Sequence, residues 1–313
     1  MTVGFSELAV HFGRSASLVG ILTRPSSELP IRRPAVVILN TGIAHRTGHH
    51  RMYVKMARAL ASLGHLVFRF DFSGIGDSVS RGDDLNPIEA HQADLAEALD
   101  WLATSCDVNE AVLIGLCAGA EIALRYGHSD KRVAGLVLLD PTIPPTARFY
   151  AHYIGGRITQ LRSWWSFVSG RGRIFEELSE RARMAFGAAA PQPVSAADHR
   201  IRDELEQLYL KSLDRNLKVL IVLTGGPLDG RQSYREQLFD AFPNVPLRDR
   251  VSLEYFREAD HTFTSERERA RLQELVLGWI TAFPTSRDPS PISGSDAERK
   301  AFGERPGRDG ASL

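Results

Sequence analysis

Cysteine is nearly missing from this chain, which holds two in 313 residues, Cys106 and Cys117. Two cysteines make no disulfide framework, which excludes the small cross-linked secreted scaffolds. Long hydrophobic runs are missing as well, and no stretch approaches the roughly 18 uninterrupted apolar residues of a membrane span. The opening residues, Met1-Thr-Val-Gly-Phe-Ser-Glu7, lack the basic region and apolar run of a secretory leader. Excess charge of one sign is absent too. Lys and Arg number 38 against 38 Asp and Glu, so no global field draws the protein to nucleic acid or to a membrane surface. There are no internal repeats. These absences leave a soluble, cytoplasmic protein as the expectation, with no nucleic-acid or membrane partner. Such a compartment also keeps a functional thiol reduced.

What is present is an alternation of strand and helix signals. Residues 8–12 and 17–23 read as an antiparallel entry hairpin joined by a Gly-Arg-Ser turn, with residues 25–34 as a polar connection. Residues 35–39 form a continuous apolar run, the mark of a strand covered on both faces. A helix is predicted over 53–63, stopping at Gly64, and a strand over 66–72. Pro87 opens a helix over 88–102, with His91 and Asp94 on its solvated side. Strands follow at 111–114 and 133–139, separated by a helix that begins near Ala120. Residues 142–216 break the rhythm and read as a helical lid inserted after the sixth strand, carrying Trp164, Trp165 and several arginines. A strand over 218–224, a short helix over 234–242, a strand over 250–256 and an amphipathic helix over 265–283 capped by Ser265 complete the core. The predicted organisation is an α/β core over residues 1–141 and 217–283, the lid over 142–216, and a disordered tail over 284–313.

The chain is organised around Val112-Leu-Ile-Gly-Leu-Cys117-Ala-Gly-Ala-Glu121. This segment passes from a short apolar strand through Gly115 and Gly119 into a helix. The pattern G-x-C-x-G is a nucleophile elbow with sulfur in place of the usual serine. A nucleophile on a sharp strand-to-helix turn needs neighbours with almost no side chain, because strand and helix pass close together. The positive end of the following helix favours a thiolate, and the Ala118 N–H is offered to a developing oxyanion.

Other candidates cluster at predicted strand ends, where ligands collect in α/β sheets. Asn40-Thr-Gly42 follows the 35–39 strand; Gly42 admits close backbone approach, and the N–H of Thr41 or Ile43 would be the second oxyanion donor. The loop after it, His45-Arg-Thr-Gly-His-His-Arg51, has no carboxylate or thiolate nearby in sequence and is not read as a metal site. Arg46 and Arg51 in that loop are candidates for binding a substrate carboxylate or a phosphopantetheine phosphate. Asp71 is expected to tie down its loop through backbone N–H groups. Its G-x-G lacks the third glycine of a dinucleotide fingerprint. Trp164 and Trp165 are candidate walls of a substrate pocket, or else the lid's own core.

Cys117, Asp229 and His261 each follow a predicted strand, in the order nucleophile, acid, base. With Asn40-Thr-Gly42, the Phe70 to Ser78 segment, Gly115-Leu-Cys-Ala-Gly119, the Leu223 to Asp229 segment and Asp260-His-Thr-Phe263, the chain resembles the α/β-hydrolase superfamily over about residues 5 to 283. The resemblance implies that Cys117 attacks, that His261 moves the proton, and that Asp229 orients the imidazole. Asp140 is the rival acid and Asp260 a weaker one. It also implies catalysis without metal or cofactor. The sulfur is similar to that of dienelactone hydrolases and of acyl- and aminoacyltransferases serving carrier proteins. The implied activity is transfer or hydrolysis of thioesters carried by a carrier protein or CoA. Hydrolysis of a small ester or lactone, and an inactive hydrolase-like binding protein, remain open beside it. The arginines of the lid would dock the acidic carrier or the CoA phosphate.

Overall fold

A computed structural model describes residues 4–146, 148–149, 196–226 and 234–283. The strands are β1 (Phe5–Phe12), β2 (Leu18–Pro25), β3 (Arg32–Ile38), β4 (His65–Phe70), β5 (Ala111–Leu116), β6 (Val133–Leu139), β7 (Lys218–Thr224) and β8 (Val251–Phe256). They form one sheet in the order β1-β2-β4-β3-β5-β6-β7-β8. The hairpin β1/β2 joins β4 antiparallel, and β4-β3-β5-β6-β7-β8 run parallel. This is the expected mostly parallel α/β architecture with helices on both faces.

The apolar runs explain the layering, because successive side chains of a strand point to opposite faces. Val37, Leu39, Leu113, Leu136, Leu138 and Ile221 belong to one buried cluster, while Val36, Ile38, Val112, Ile114, Val137 and Leu220 belong to the other. The first cluster is closed by helices α2 (Pro87–Cys106), α3 (Ala118–Gly127), α4 (Ala196–Asp214) and the short α5 (Gln237–Ala241). The second is closed by α1 (Met52–Ser62) and α6 (Glu266–Thr281). Helix α2 begins as read: Asn86 caps Ile88 and Glu89, with Pro87 in the first turn.

Three expectations need correction. Helix α4 was assigned to the lid over 142–216, yet its Leu205, Leu208, Tyr209 and Leu213 are buried in the same cluster as the sheet. It is a layer of the core, because its apolar stripe meets α3 and joins the buried cluster on that face of the sheet. Asp94, placed on the solvated side of α2, is fully buried. Arg81 reaches it at 2.6 Å from the preceding loop, and Ser73 donates to it through both N–H and hydroxyl. Polar-face logic fails when a loop brings a cation across the helix. Ser265 stands at the N-terminus of α6 but makes no side-chain capping bond. The remaining lid readings, Trp164 and Trp165 among them, and the tail over 284–313 lie outside the described residues. Among the described residues no helix is long and apolar enough to cross a membrane.

Candidate active site

The parallel strands end on one edge, and the candidate residues gather there. Cys117 connects β5 to α3 with φ 55° and ψ −115°, backbone that costs a residue with a side chain about 1–3 kcal/mol. The turn is clamped from both sides: the Cys117 N–H donates to Leu139 O of β6 at 3.0 Å, and the Glu121 N–H donates to Cys117 O at 3.1 Å. Both flanking glycines are required by close approach. A Cβ on Gly115 would lie 2.2 Å from the Gly119 backbone, and one on Gly119 would lie 2.4 Å from Asn40 O. Cys117 is half-buried and Ala118 is exposed. The Ala118 N–H, in the first turn of α3, has no intrahelical acceptor and faces outward with the positive end of the helix.

His261 lies in the loop between β8 and α6, and its side chain is 15% exposed. The loop is held by Asp260, whose carboxylate accepts from the N–H and hydroxyl of both Thr262 and Thr264. Asp260, a weak candidate for the acid, is thus the anchor of the loop. The acid that meets His261 is Asp140, at the end of β6: its Oδ2 is 2.5 Å from His261 Nδ1. Asp140 adopts φ 46° and is oriented by Thr224, which donates its N–H at 3.2 Å and its hydroxyl at 2.8 Å. Asp229, expected to be the acid, lies outside the described residues. Among the described residues, then, the carboxylate that reaches His261 Nδ1 is the rival acid of the sequence reading, Asp140, and with it the order nucleophile, acid, base is also kept.

The electrostatics follow from this contact. The hydrogen bond to Asp140, then that to Cys117, and the charges of both raise His261 from its ordinary 6.5 to about 10, against a smaller opposing effect of burial. The imidazole therefore keeps its proton through the neutral range while it touches the sulfur.

The loop after β3 stands opposite. Thr41 is buried, Gly42 has φ 53° with open space around it, and Ile43 is 95% exposed. Thr41 pairs with Ala44 across the turn, and Thr41 and Gly42 stand with Ala118 at the edge that carries Cys117. Asn40 fixes the base of the loop, donating to Ala44 O at 2.9 Å and Asp71 Oδ1 at 3.2 Å and accepting from the Phe72 N–H at 2.8 Å.

Arg46 is put to a different use from the one expected of it. Its guanidinium pairs with Asp71 and, at 2.5 Å, with Asp77, and its side chain is only 16% exposed. Both ends of the fork are engaged, which removes Arg46 from substrate binding. Asp71 does tie down its loop, through the Arg46 N–H at 2.6 Å and the Asp77 N–H at 3.3 Å. Arg51 is exposed, and no carboxylate among the described residues pairs with it. His49, in the same loop, is pushed below its usual pKa by burial first and then by the charges of His50 and His261, which brings the loop into the electrostatic range of the site. Among the described residues no three or more potential metal ligands gather.

Two residues escaped sequence reasoning. Thr224 closes an apolar strand just before Gly225, a polar residue on the functional edge, and that position was its only signal. Tyr53 occupies an apolar position of α1 and gave none, yet its hydroxyl reaches Thr41 Oγ1 at 2.6 Å.

Comparison with known proteins agrees with the fold. The family described as alpha/beta hydrolase fold matches residues 34–167. No curated protein matches the sequence. Among solved structures, an alpha-beta serine hydrolase homologue from Coxiella burnetii is similar at 17% identity, covering 88% of this chain and 97% of that one with a TM-score of 0.53. A hypothetical protein from Pseudomonas aeruginosa gives 14% identity, 90% and 94% coverage and a TM-score of 0.54. A Xanthomonas campestris protein described as an a/b serine hydrolase without lid gives 17%, 90% and 97%, and 0.50. At these identities the likeness is one of fold.

Proposed function

We propose that this chain, which has the α/β-hydrolase fold, is a cysteine-nucleophile enzyme that forms an acyl thioester on Cys117 and transfers the acyl group between thiols. The observation that carries the proposal is the contact of His261 with both Cys117 and Asp140. A resting imidazolium beside a thiol at a helix N-terminus favours the thiolate, which is the attacking form.

The thiolate adds to the carbonyl carbon of a thioester, and the oxyanion is received by the N–H groups of Ala118 and Thr41 beside Gly42. As the intermediate collapses, the bond to the leaving sulfur breaks and His261 gives it a proton. Acylation removes the charge from Cys117, and with it part of what holds the proton on His261. The neutral imidazole, kept in its tautomer by Asp140, then takes the proton of an incoming thiol. That thiol attacks the acyl carbon, the bond to Cys117 Sγ breaks, and the thiolate and imidazolium return. Exchange of one thioester for another is close to thermoneutral, which suits sulfur. An ester would require His261 to protonate a more basic alkoxide. Arg51, exposed beside the site, is the described residue best placed to meet a CoA or phosphopantetheine phosphate, and Trp164 and Trp165 complete the proposal as pocket walls.

Intact mass of the protein after mixing with acyl and aminoacyl thioesters of CoA and of a carrier protein tests this reading. An adduct on Cys117 that persists until a second thiol arrives is the expected result. An adduct decaying to free acid at one rate with or without an acceptor replaces transfer by hydrolysis, and no adduct from any thioester refutes the enzyme.

A further inference from the structure

Helix α1 contributes a residue to the site that neither the nucleophile motif nor the triad accounts for. Tyr53 is fully buried, its ring is packed against Gly48, and a Cβ on that glycine would lie 2.7 Å from the ring. Its hydroxyl is 2.6 Å from Thr41 Oγ1, and its ring lies in the same buried cluster as Ile114 and Leu116 of the strand that leads into Cys117. Tyr53 therefore joins the loop after β3 to the nucleophile strand.

The other bonds of that loop do not make this link. The Ala44 N–H donates to Thr41 O at 2.9 Å, which closes the turn upon itself. The Asn40 carboxamide reaches Ala44, Asp71 and Phe72, towards β4 and away from the nucleophile. Gly42 and Ile43 project outward with open space beside Gly42. The Tyr53 hydroxyl ties Thr41 to a side chain that is itself packed with the nucleophile strand. An oxyanion hole requires its two N–H groups at a fixed separation, about 2.7–3.1 Å from the same future oxygen.

We propose that Tyr53 is a positioning residue of the oxyanion hole, holding the Thr41 N–H in register with the Ala118 N–H through its hydrogen bond to Thr41 and its packing with the nucleophile strand. The inference rests on the acyl-enzyme reading above. Burial and the neighbouring Cys117 push the phenol up to about 12, so the hydroxyl keeps its hydrogen throughout the working range.

Two reagents separate this role from a merely structural one. Acylation of Cys117 by p-nitrophenyl acetate passes through an oxyanion, whereas alkylation by iodoacetamide is a displacement at carbon that forms none. In Tyr53→Phe the acylation rate falls about tenfold or more while the alkylation rate stays within about twofold of wild type. Thr41→Val, which removes the other end of that hydrogen bond, gives the same split, and the double variant is no worse than either single one. Cys106 is buried and its thiol is pushed above its ordinary pKa by that burial, so peptide mapping is expected to place both labels on Cys117. Wild-type acylation with an unchanged Tyr53→Phe rate overturns the role of Tyr53 alone. Acylation and alkylation falling together also overturn it, since Tyr53 then acts on the nucleophile or the fold. A wild-type Cys117 that is alkylated but never acylated refutes the enzyme reading, and the Tyr53 role with it.

Discussion

Asp71 and Asp140 are carboxylates at the carboxyl ends of β4 and β6, both shielded from solvent, and they are put to opposite uses. Asp71 is fully buried and faces the guanidinium of Arg46 together with backbone N–H groups. Asp140 is 8% exposed at its side chain and faces His261, with Thr224 behind it. The difference lies in the cation. Arginine keeps its charge at every pH the fold survives, so Asp71 can only hold a loop. Histidine gains and loses a proton, so Asp140 can support a proton transfer while its own charge stays fixed.

Asp140→Asn breaks the comparison most severely. The amide cannot stabilise the imidazolium and presents the wrong tautomer to the sulfur, so turnover per folded molecule falls about 10³- to 10⁴-fold. Asp229→Asn sharpens the same test. With Asp140 as the acid it retains transfer within about threefold of wild type, and a loss equal to that of Asp140→Asn would return the role to Asp229.

Asp71→Asn reverses the pattern. It leaves Arg46 with only the exposed Asp77 and loosens the loop around Gly74 and Gly76, at a cost of about 2–3 kcal/mol in denaturant titration. Turnover per folded molecule stays within about threefold. A loss of turnover comparable to that of Asp140→Asn would show that Arg46 and Asp71 serve the chemistry after all.

The titratable cation also predicts a pH signature. His261 is raised from 6.5 in the unfolded chain to about 10 in the fold, so its stabilising contribution is complete below about 6.5 and is lost as pH rises through about 10. Chemical denaturation at steps from pH 6 to 10.5 should show that decline. Cys117→Ala removes the second-largest support of the imidazolium, and the decline should then be smaller and end at lower pH. An unchanged curve in the variant would mean that Cys117 and His261 do not share a proton.

Much of the fold was legible because parallel strands buried on both faces read as unbroken apolar runs. The 133–139 and 218–224 segments coincide with β6 and β7. Cys117 was legible through its two glycines, whose absent side chains the elbow requires, and His261 through its place after the last strand. The choice between Asp140 and Asp229 was not. Both follow a strand in a turn-forming context, and the contact at 2.5 Å with His261 Nδ1 is described for Asp140 alone. Asp94 and α4 were misread for a related reason: the polarity of one segment does not reveal a partner from another. Tyr53 is the extreme case, since an aromatic residue in an apolar stripe says nothing of where its hydroxyl ends.

The smallest effect concerns the support behind Asp140. Thr224 donates two hydrogen bonds to that carboxylate, and Thr224→Val removes only the hydroxyl, at 2.8 Å, while the N–H remains. A hydrogen bond to a charged group contributes about 1.5–3 kcal/mol, but most of that loss is common to resting enzyme and transition state. The rate therefore falls by only about three- to tenfold. Its direction is the more telling result. With one donor gone, the Asp140 charge is less shared and attracts the imidazolium more strongly, which makes His261 a weaker acid towards the leaving thiol. The fall should thus be steeper for thioesters with a more basic leaving thiol. A uniform fall across leaving groups would assign Thr224 to the geometry of Asp140 and not to its charge.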